Sequence, residues 1–131
     1  MYSMNDVCHM KLNTEENSVR SFDIWLASLP ETGGRSVQHG TRPVVVVSND
    51  MANRYSPAIS VVPLTSNLKK KALPTHVFLR VPGLERASLA LCEQVTTVDK
   101  SCLIRRLATV ETTFQRMAIR HGLAVQLGMA A

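Results

Sequence analysis

The protein has 131 residues, of which 45% are hydrophobic and 19% are charged, so we expect a globular chain with one modest core rather than a disordered one. Its longest apolar runs, residues 44–47 and 58–64, are far shorter than the roughly 20 residues of a membrane-spanning helix, which argues against a membrane protein. Cys8, Cys92 and Cys102 exclude a paired disulfide framework, and no apolar signal segment lies near the start of the chain; we therefore expect a cytoplasmic protein.

The charge is distributed unevenly along the chain. Residues 32–131 carry thirteen basic and five acidic side chains, whereas residues 1–31 carry two basic and five acidic ones. A cationic surface attracts phosphate-bearing or acidic partners over a long range. Many basic domains bind no nucleic acid, so composition alone leaves RNA or DNA binding open.

The first structural elements follow a polar N-terminal stretch. Residues 1–20 show no clear period of 2 or 3.6, so we expect a weakly ordered extension followed by a single domain over residues 21–131. The segment from Asp23 to Leu29 is apolar on both faces, which predicts a strand that is covered on both sides. The polar, glycine-containing segment 30–41 follows, and loops of this length often carry functional residues.

Four more strands are predicted before the chain becomes helical. Pro43 opens a strand over residues 44–48 and holds Arg42 in an extended conformation beside the loop. Turn-forming residues occupy positions 49–57. The remaining predicted strands cover residues 58–65, with Pro63 at an edge or a bulge, residues 75–81 and residues 87–95.

The C-terminal part has apolar residues at helical spacing. The pattern predicts an amphipathic helix with Thr109 as its N-cap and with Arg116 and Arg120 on the outer side. The predicted core-facing stripe consists of Val110, Phe114, Met117, Ala118, His121 and Val125. Together these elements predict an α+β, mainly β fold, in which packed helices cover a small, strongly bent antiparallel sheet.

The sequence lacks the motifs of the common metal- and cofactor-dependent hydrolases. It has no glycine-rich phosphate loop, no G-x-S-x-G, no H-E-x-x-H and no carboxylate cluster suited to magnesium, so we expect any hydrolysis to need no metal or cofactor. RNA permits such a reaction, because its 2′-hydroxyl can attack the adjacent phosphorus and leave a 2′,3′-cyclic phosphate and a 5′-hydroxyl. Arginine and threonine suit the task of stabilising charge on the phosphoryl oxygens.

Six segments resemble, in order and with similar spacing, the signature blocks of MazF/PemK toxins. They are Thr-Arg-Pro-Val-Val-Val-Val-Ser-Asn-Asp at 41–50, Asn-Arg-Tyr-Ser-Pro at 53–57, Val-Pro-Leu-Thr-Ser at 62–66, Lys-Ala-Leu-Pro-Thr-His-Val at 71–77, Leu-Cys-Glu-Gln-Val at 91–95 and Thr-Val-Asp-Lys at 97–100. The resemblance covers about residues 22–128 and implies a bent sheet or barrel of the MazF/PemK/CcdB type.

The resemblance implies a type II toxin: a metal-independent, sequence-selective endoribonuclease that cleaves single-stranded RNA as a homodimer. It also implies inhibition by a MazE-like antitoxin with an acidic, disordered tail. In that family the catalytic pair is the Arg before the strand-opening Pro and the Thr that ends the next strand, which correspond to Arg42 and Thr65. Two alternatives stay open. One is a CcdB-like toxin that binds DNA gyrase, although that family depends on a Trp-containing C-terminus absent here; the other is a relative that binds RNA or antitoxin without cleavage.

Several other residues are candidates for RNA contact. His39 lies in the loop beside Arg42 and can assist proton transfer or contact a base, whereas His76 is expected to be a structural histidine. Cys92 is expected to be inert core. The general base and acid stay open, because arginine keeps its proton and is a poor base. The RNA-contact candidates are Gln38, His39, Ser66, Lys69, Lys70, Lys71, Glu93 and Gln94.

The chain departs from the family pattern before and within the first loop. Phe22 stands where relatives commonly have Gly before the Asp of the first strand. Val37 and His39 stand where the loop commonly has Glu and Gly, and Thr96 stands where many relatives have Arg. We expect these departures to affect base preference and substrate affinity rather than the cleavage pair.

Overall fold

The computed structural model of the protein describes residues 18–31, 34, 36–69 and 72–131. Within these ranges the strands are β1 (Asp23–Leu29), β2 (Gly40–Val46), β3 (Ala58–Thr65), β4 (His76–Leu79), β5 (Ser88–Leu91), β6 (Thr96–Asp99) and β7 (Leu103–Thr109). The helices are α1 (Asp50–Tyr55) and α2 (Thr113–Gln126), with short 3-10 helices at Cys92–Gln94 and Lys100–Cys102. The predicted mainly β architecture with a C-terminal helix is confirmed.

All strand pairings among the described residues are antiparallel, and β3 pairs with three other strands. The strand order is β4-β5-β3-β2-β1-β7, and β6 also pairs with β3. Val61 pairs with Val46 of β2 on one side and with Thr96 of β6 on the other. Beyond that point Leu64 and Thr65 pair with β5. Consequently β5 and β6 follow one another along the same edge of β3, separated by the 3-10 helix.

Pro63 lies in this central strand, so of the two predicted positions, a sheet edge or a bulge, the edge is wrong. It pairs with Val44 of β2 and is buried. On the other side of β3, pairing with β6 ends at Val61 and pairing with β5 begins at Leu64. Proline lacks a backbone N–H, and it is therefore tolerated at this interruption of the ladder.

The two faces of the sheet are both covered, and the alternation along β2 shows this directly. Val45 belongs to a core cluster that includes Ile119 of α2, which we call the helix-side core. Val44 and Val46 point the other way into a second core with Trp25. A strand buried on both faces reads as a continuous apolar run, as the sequence predicted for β1.

Several element boundaries differ from the prediction. The second strand begins at Gly40 rather than at residue 44, so that Pro43 lies inside it and pairs with Leu26. Residues 50–55 form a helix capped by Asn49, whose side chain accepts a hydrogen bond from Ala52 N. The predicted strand over residues 87–95 ends at Leu91, and the sequence reasoning missed β6 and β7 because the charged and polar residues in them broke the alternation.

The predicted buried stripe of the C-terminal helix is confirmed only in part: Val110 is buried and Ala118 packs against the helix-side core, but three other members are exposed. Phe114 and Met117 are 83% and 60% exposed, and His121 is also exposed. Ile119 and Gly122 are the buried residues of α2. At Gly122 an added Cβ would lie 2.8 Å from Cys92 Sγ, so the missing side chain permits close packing on the 3-10 helix. The N-cap is Thr112 rather than Thr109.

The start of β1 shows what replaces the family's glycine. Phe22 has a positive φ of 70°, a conformation that costs a non-glycine residue roughly 1–2 kcal/mol. Its side chain is buried, with the guanidinium groups of Arg116 and Arg120 over the ring. Of the predicted weakly ordered extension, residues 1–17 lie outside the described residues; within its last three residues, Val19 packs into the second core.

Candidate active site

Arg42 is held by its own strand and by the loop before it. It pairs with Ala27 of β1, and its side chain is partly exposed. The Nε atom donates a hydrogen bond of 2.9 Å to the backbone carbonyl of His39. This contact uses the inner nitrogen of the guanidinium and leaves the two terminal nitrogens for a ligand. A guanidinium presented in this way can meet two oxygens of one phosphate.

Thr65 is the last residue of β3 and is partly exposed. Its Oγ1 atom accepts a hydrogen bond of 3.2 Å from the backbone N–H of Asn67. An accepting hydroxyl still has its own proton to donate. The Thr65 hydroxyl therefore keeps a proton that it can donate to a ligand oxygen.

Arg42 and Thr65 line one cavity of about 570 Å³, a size typical of small-ligand sites. Val44 of β2 pairs with Pro63 of β3. Arg42 lies two residues before Val44 and Thr65 lies two residues after Pro63, so Arg42 and Thr65 are opposite each other and share a face of the sheet. Apolar side chains complete part of the lining: Leu26, Leu64, Leu84 and Leu107. The structure therefore brings the predicted catalytic pair together.

The cavity contains charged residues that sequence reasoning did not find. Arg86 and Glu85 come from the β4–β5 loop, and Arg105 comes from β7. With Arg42, the cavity has three arginines against one carboxylate, an arrangement that favours an anionic ligand. The signal for β7 was the run Leu-Ile-Arg-Arg-Leu, which has strand-forming residues on both sides of the charges.

Gln94 binds the β1–β2 loop rather than projecting away from it. Its Oε1 accepts from the backbone N–H of Gln38 at 2.8 Å, and its Nε2 donates to the carbonyl of Ser36 at 2.7 Å. The neighbouring residue, His39, is the one whose carbonyl binds Arg42. Gln38 and Gln94, two predicted RNA-contact residues, therefore bind each other in the loop whose His39 carbonyl accepts a hydrogen bond from Arg42.

His39 is exposed, and a hydrogen bond orients its ring. Nδ1 lies 3.3 Å from the carbonyl oxygen of Val37. A carbonyl only accepts, so Nδ1 must carry the proton in this contact. In the neutral ring Nε2 is then the acceptor, as a general base requires.

Glu93 lies in the first 3-10 helix and binds two residues at the start of β4. It accepts from Thr75 Oγ1 and from His76 Nε2, each at 3.0 Å. Burial alone would raise the pKa of Glu93, but hydrogen bonds from His76, its own backbone and Thr75 outweigh it and lower the pKa. The His76 ring is thus a hydrogen-bonded structural group, as predicted.

The other predicted residues occupy varied positions. Ser66 lines the cavity, and Lys69 is exposed, with its backbone N–H bonded to Asn67. Lys70 and Lys71 lie outside the described residues. Cys92 is fully buried, and burial raises the pKa of its thiol to about 12, which makes it inert as a nucleophile.

Residues 20–125 match the family of PemK-like, MazF-like toxins of type II toxin–antitoxin systems. This chain belongs to that family. The match favours the PemK/MazF assignment over the CcdB-like alternative. Among the described residues no three His, Cys, Asp or Glu side chains are grouped to hold a metal ion, and no helix is long and apolar enough to cross a membrane.

Individual members of the PemK/MazF family are similar along most of their length. Endoribonuclease MazF of Staphylococcus epidermidis is 34% identical over 113 residues, which cover 85% of this chain and 92% of the relative. MazF of Deinococcus radiodurans has a TM-score of 0.72 at 25% identity, covering 86% of this chain and 98% of that one. A mycobacterial endoribonuclease in complex with its cognate antitoxin shares the fold, with a TM-score of 0.68 at 22% identity over 86% of this chain and 98% of that one.

Proposed function

We propose that this PemK/MazF-family toxin is an endoribonuclease that cleaves single-stranded RNA, with Arg42 and Thr65 at the scissile phosphate. The observation that carries the proposal is the strand register, which places Arg42 opposite Thr65 on one face of the sheet, where Arg42 keeps two terminal nitrogens and Thr65 keeps a hydroxyl proton for a ligand. Both groups donate, and a phosphorane in the transition state has oxygens that only accept. The similarity to endoribonuclease MazF of S. epidermidis supports the same activity.

In the proposed reaction the ribose 2′-oxygen attacks phosphorus, and the bond from phosphorus to the 5′-oxygen breaks. His39 Nε2 accepts the 2′-hydroxyl proton, and the departing 5′-oxygen takes a proton from water. Arg42 binds two non-bridging oxygens and Thr65 donates to one of them, so that both interactions strengthen as charge grows on those oxygens. The products are a 2′,3′-cyclic phosphate and a 5′-hydroxyl.

The proposal includes the setting in which the enzyme works. We propose a single domain over residues 21–131, a cytoplasmic location and a homodimer. The inhibitor would be a MazE-like antitoxin whose acidic, disordered tail covers the cationic cavity and folds on binding. Solved structures of a mycobacterial endoribonuclease with its cognate antitoxin and of MazE–MazF from D. radiodurans support this partner. Lys69 and the adjacent lysines would contact the phosphate backbone outside the cavity.

The test is cleavage of a mixed-sequence RNA by purified protein in EDTA, followed by end-group analysis. We expect 2′,3′-cyclic phosphate and 5′-hydroxyl ends, and no cleavage where the nucleotide at the cut is 2′-deoxy. Arg42→Ala should lower the rate by at least about 100-fold. Arg54→Ala, at an exposed position on α1, is the matched control and should cleave at the wild-type rate.

Other results would contradict the proposal. Ends bearing a 5′-phosphate, or cleavage that continues across a 2′-deoxy nucleotide, would exclude attack by the 2′-oxygen. A folded Arg42→Ala variant with the wild-type rate would remove Arg42 from the reaction. RNA that is bound by the wild-type protein but left whole would favour the non-catalytic relative.

A further inference from the structure

Phe78 is an exposed aromatic residue on β4 that takes no part in the proposed cleavage reaction. Its side chain is 52% exposed, whereas its neighbours Val77 and Leu79 are buried in the helix-side core. Phe78 therefore points to the opposite face of the sheet, away from α2. Among the described residues three aromatic side chains are exposed, Tyr55, Phe78 and Phe114, and of these Phe78 is the one that lies on the sheet.

The strand register aligns Phe78 with Thr65. Leu89 of β5 pairs with Phe78 of β4 on one side and with Thr65 of β3 on the other. Directly opposite residues of antiparallel strands have side chains on the same face, so the three form one row across the sheet. Adjacent strands lie ~4.8 Å apart, which puts the Phe78 backbone about 10 Å from that of Thr65.

The surroundings of the row suit a nucleotide. Leu89 is only partly buried between the two residues and offers an apolar surface. Arg80, two residues after Phe78 and just beyond the end of β4, is also exposed. An aromatic ring beside a cation is the combination by which proteins bind single-stranded nucleic acid, since the ring stacks on a base and the cation follows the backbone.

We propose that Phe78 is a stacking platform for the base of a nucleotide that flanks the scissile phosphate. The inference rests on the proposed function, because Thr65 must hold that phosphate for the row to have this meaning. With the phosphate at Thr65, the adjoining nucleotide would extend over Leu89 and place its base on the Phe78 ring. Every base has a stacking face, so Phe78 would set affinity and the position of the cut rather than the identity of the base.

A second copy of this chain is the rival occupant of the same face. An exposed phenyl ring in a protein interface would be buried by apolar contacts, and its loss would weaken association. The alignment with Thr65 and the neighbouring Arg80 favour an anionic, base-bearing ligand. Measurement of molar mass separates the two occupants.

The first experiment compares Phe78→Ala with Phe114→Ala, the same substitution at an exposed position of α2. We expect Phe78→Ala to raise KM for RNA about tenfold with little change in kcat, because it removes ground-state and transition-state binding equally. Phe78→Tyr, which keeps the ring, should restore KM, and the molar mass should match that of the wild type. An unchanged KM in a folded Phe78→Ala variant, or a loss of affinity that accompanies a lower molar mass, would overturn the proposal.

The second experiment does not depend on cleavage. Phe78→Trp is titrated with an RNA oligonucleotide that carries a 2′-deoxy nucleotide at the cut or, if the wild type does not cleave, at each position in turn. We expect quenching of the new indole, with wild type as the control because its single Trp25 is buried. An abasic nucleotide beside the deoxy position should abolish the quenching and weaken wild-type binding, but it should not further weaken Phe78→Ala.

The cleavage assay and the fluorescence titration distinguish failure of the proposed function from failure of the stacking site. Absence of cleavage with intact quenching would count against the endoribonuclease and leave the stacking site supported. Cleavage with no quenching, or equal losses from the abasic nucleotide in wild type and Phe78→Ala, would count against the stacking site and leave the proposed function supported.

Discussion

The Nε atom of Arg42 donates a hydrogen bond of 2.9 Å to the backbone carbonyl of His39. One contact therefore ties the candidate phosphate-binding group to the loop residue that carries an imidazole. The carbonyl of Val37 fixes the ring of His39 with Nε2 as acceptor. The loop thus holds the cation and presents the imidazole that we propose as the base, and each role can be tested separately.

Replacement of His39 by Ala should remove the base while the backbone carbonyl still binds Arg42. We expect kcat to fall by about 10²- to 10⁴-fold, the usual contribution of general base catalysis. Added imidazole should restore part of the rate in His39→Ala and none in Arg42→Ala. His121→Ala, an exposed histidine on α2, is the control. A wild-type rate in His39→Ala would assign proton transfer to another group.

Gln94→Ala should release the loop without unfolding the protein. The substitution removes the hydrogen bonds to Gln38 N and Ser36 O, each worth about 0.5–1.5 kcal/mol. Hydrogen exchange at the Gln38 amide should then become about tenfold faster. Gln94→Glu keeps the acceptor for that amide and should preserve its protection. Equal protection in wild type and Gln94→Ala would show that the loop is held by other contacts.

Glu93→Gln should lower stability at neutral pH and have less effect in acid. The pKa of Glu93 is below its usual value of 4.5, so the carboxylate contributes stability above that pH and loses it as the pH falls through the folded-state pKa. The urea midpoints of wild type and Glu93→Gln should therefore converge at low pH. Asp99, whose pKa is lowered mainly by the backbone N–H of Ser101, titrates in both proteins and cancels in the comparison. A gap that is constant with pH would contradict this assignment.

Gly122→Ala should destabilise the protein by about 1–3 kcal/mol through overpacking, in spite of alanine's higher helix propensity. The new methyl would lie 2.8 Å from Cys92 Sγ and 3.4 Å from the Thr75 carbonyl. Cys92→Ala removes the sulfur, so the double variant should be more stable than the sum of the two single effects predicts. Chemical denaturation of the four proteins gives the coupling energy, and strict additivity would place the strain elsewhere.

Much of the fold was predictable because the local pattern and the tertiary environment agree. β1 and β3 were predicted with the bounds that the structure shows, since apolar runs ended by turn residues indicate buried strands. In α2 the local sequence pattern and the tertiary environment disagree. Phe114 and Met117 are the larger apolar residues, but Gly122 lets the helix approach Cys92 closely, and that contact selects the buried face.

By itself the sequence determined the family and the mainly β class, and it predicted the pair Arg42 and Thr65, because these depend on ordered motifs and on periods of two or three to four residues. Tertiary structure alone decided what surrounds that pair. Arg105 reaches the cavity from β7, Gln94 holds the β1–β2 loop, and Phe78 aligns with Thr65 through β5. These contacts join residues far apart in the chain, and strand register, which no local pattern encodes, places them side by side.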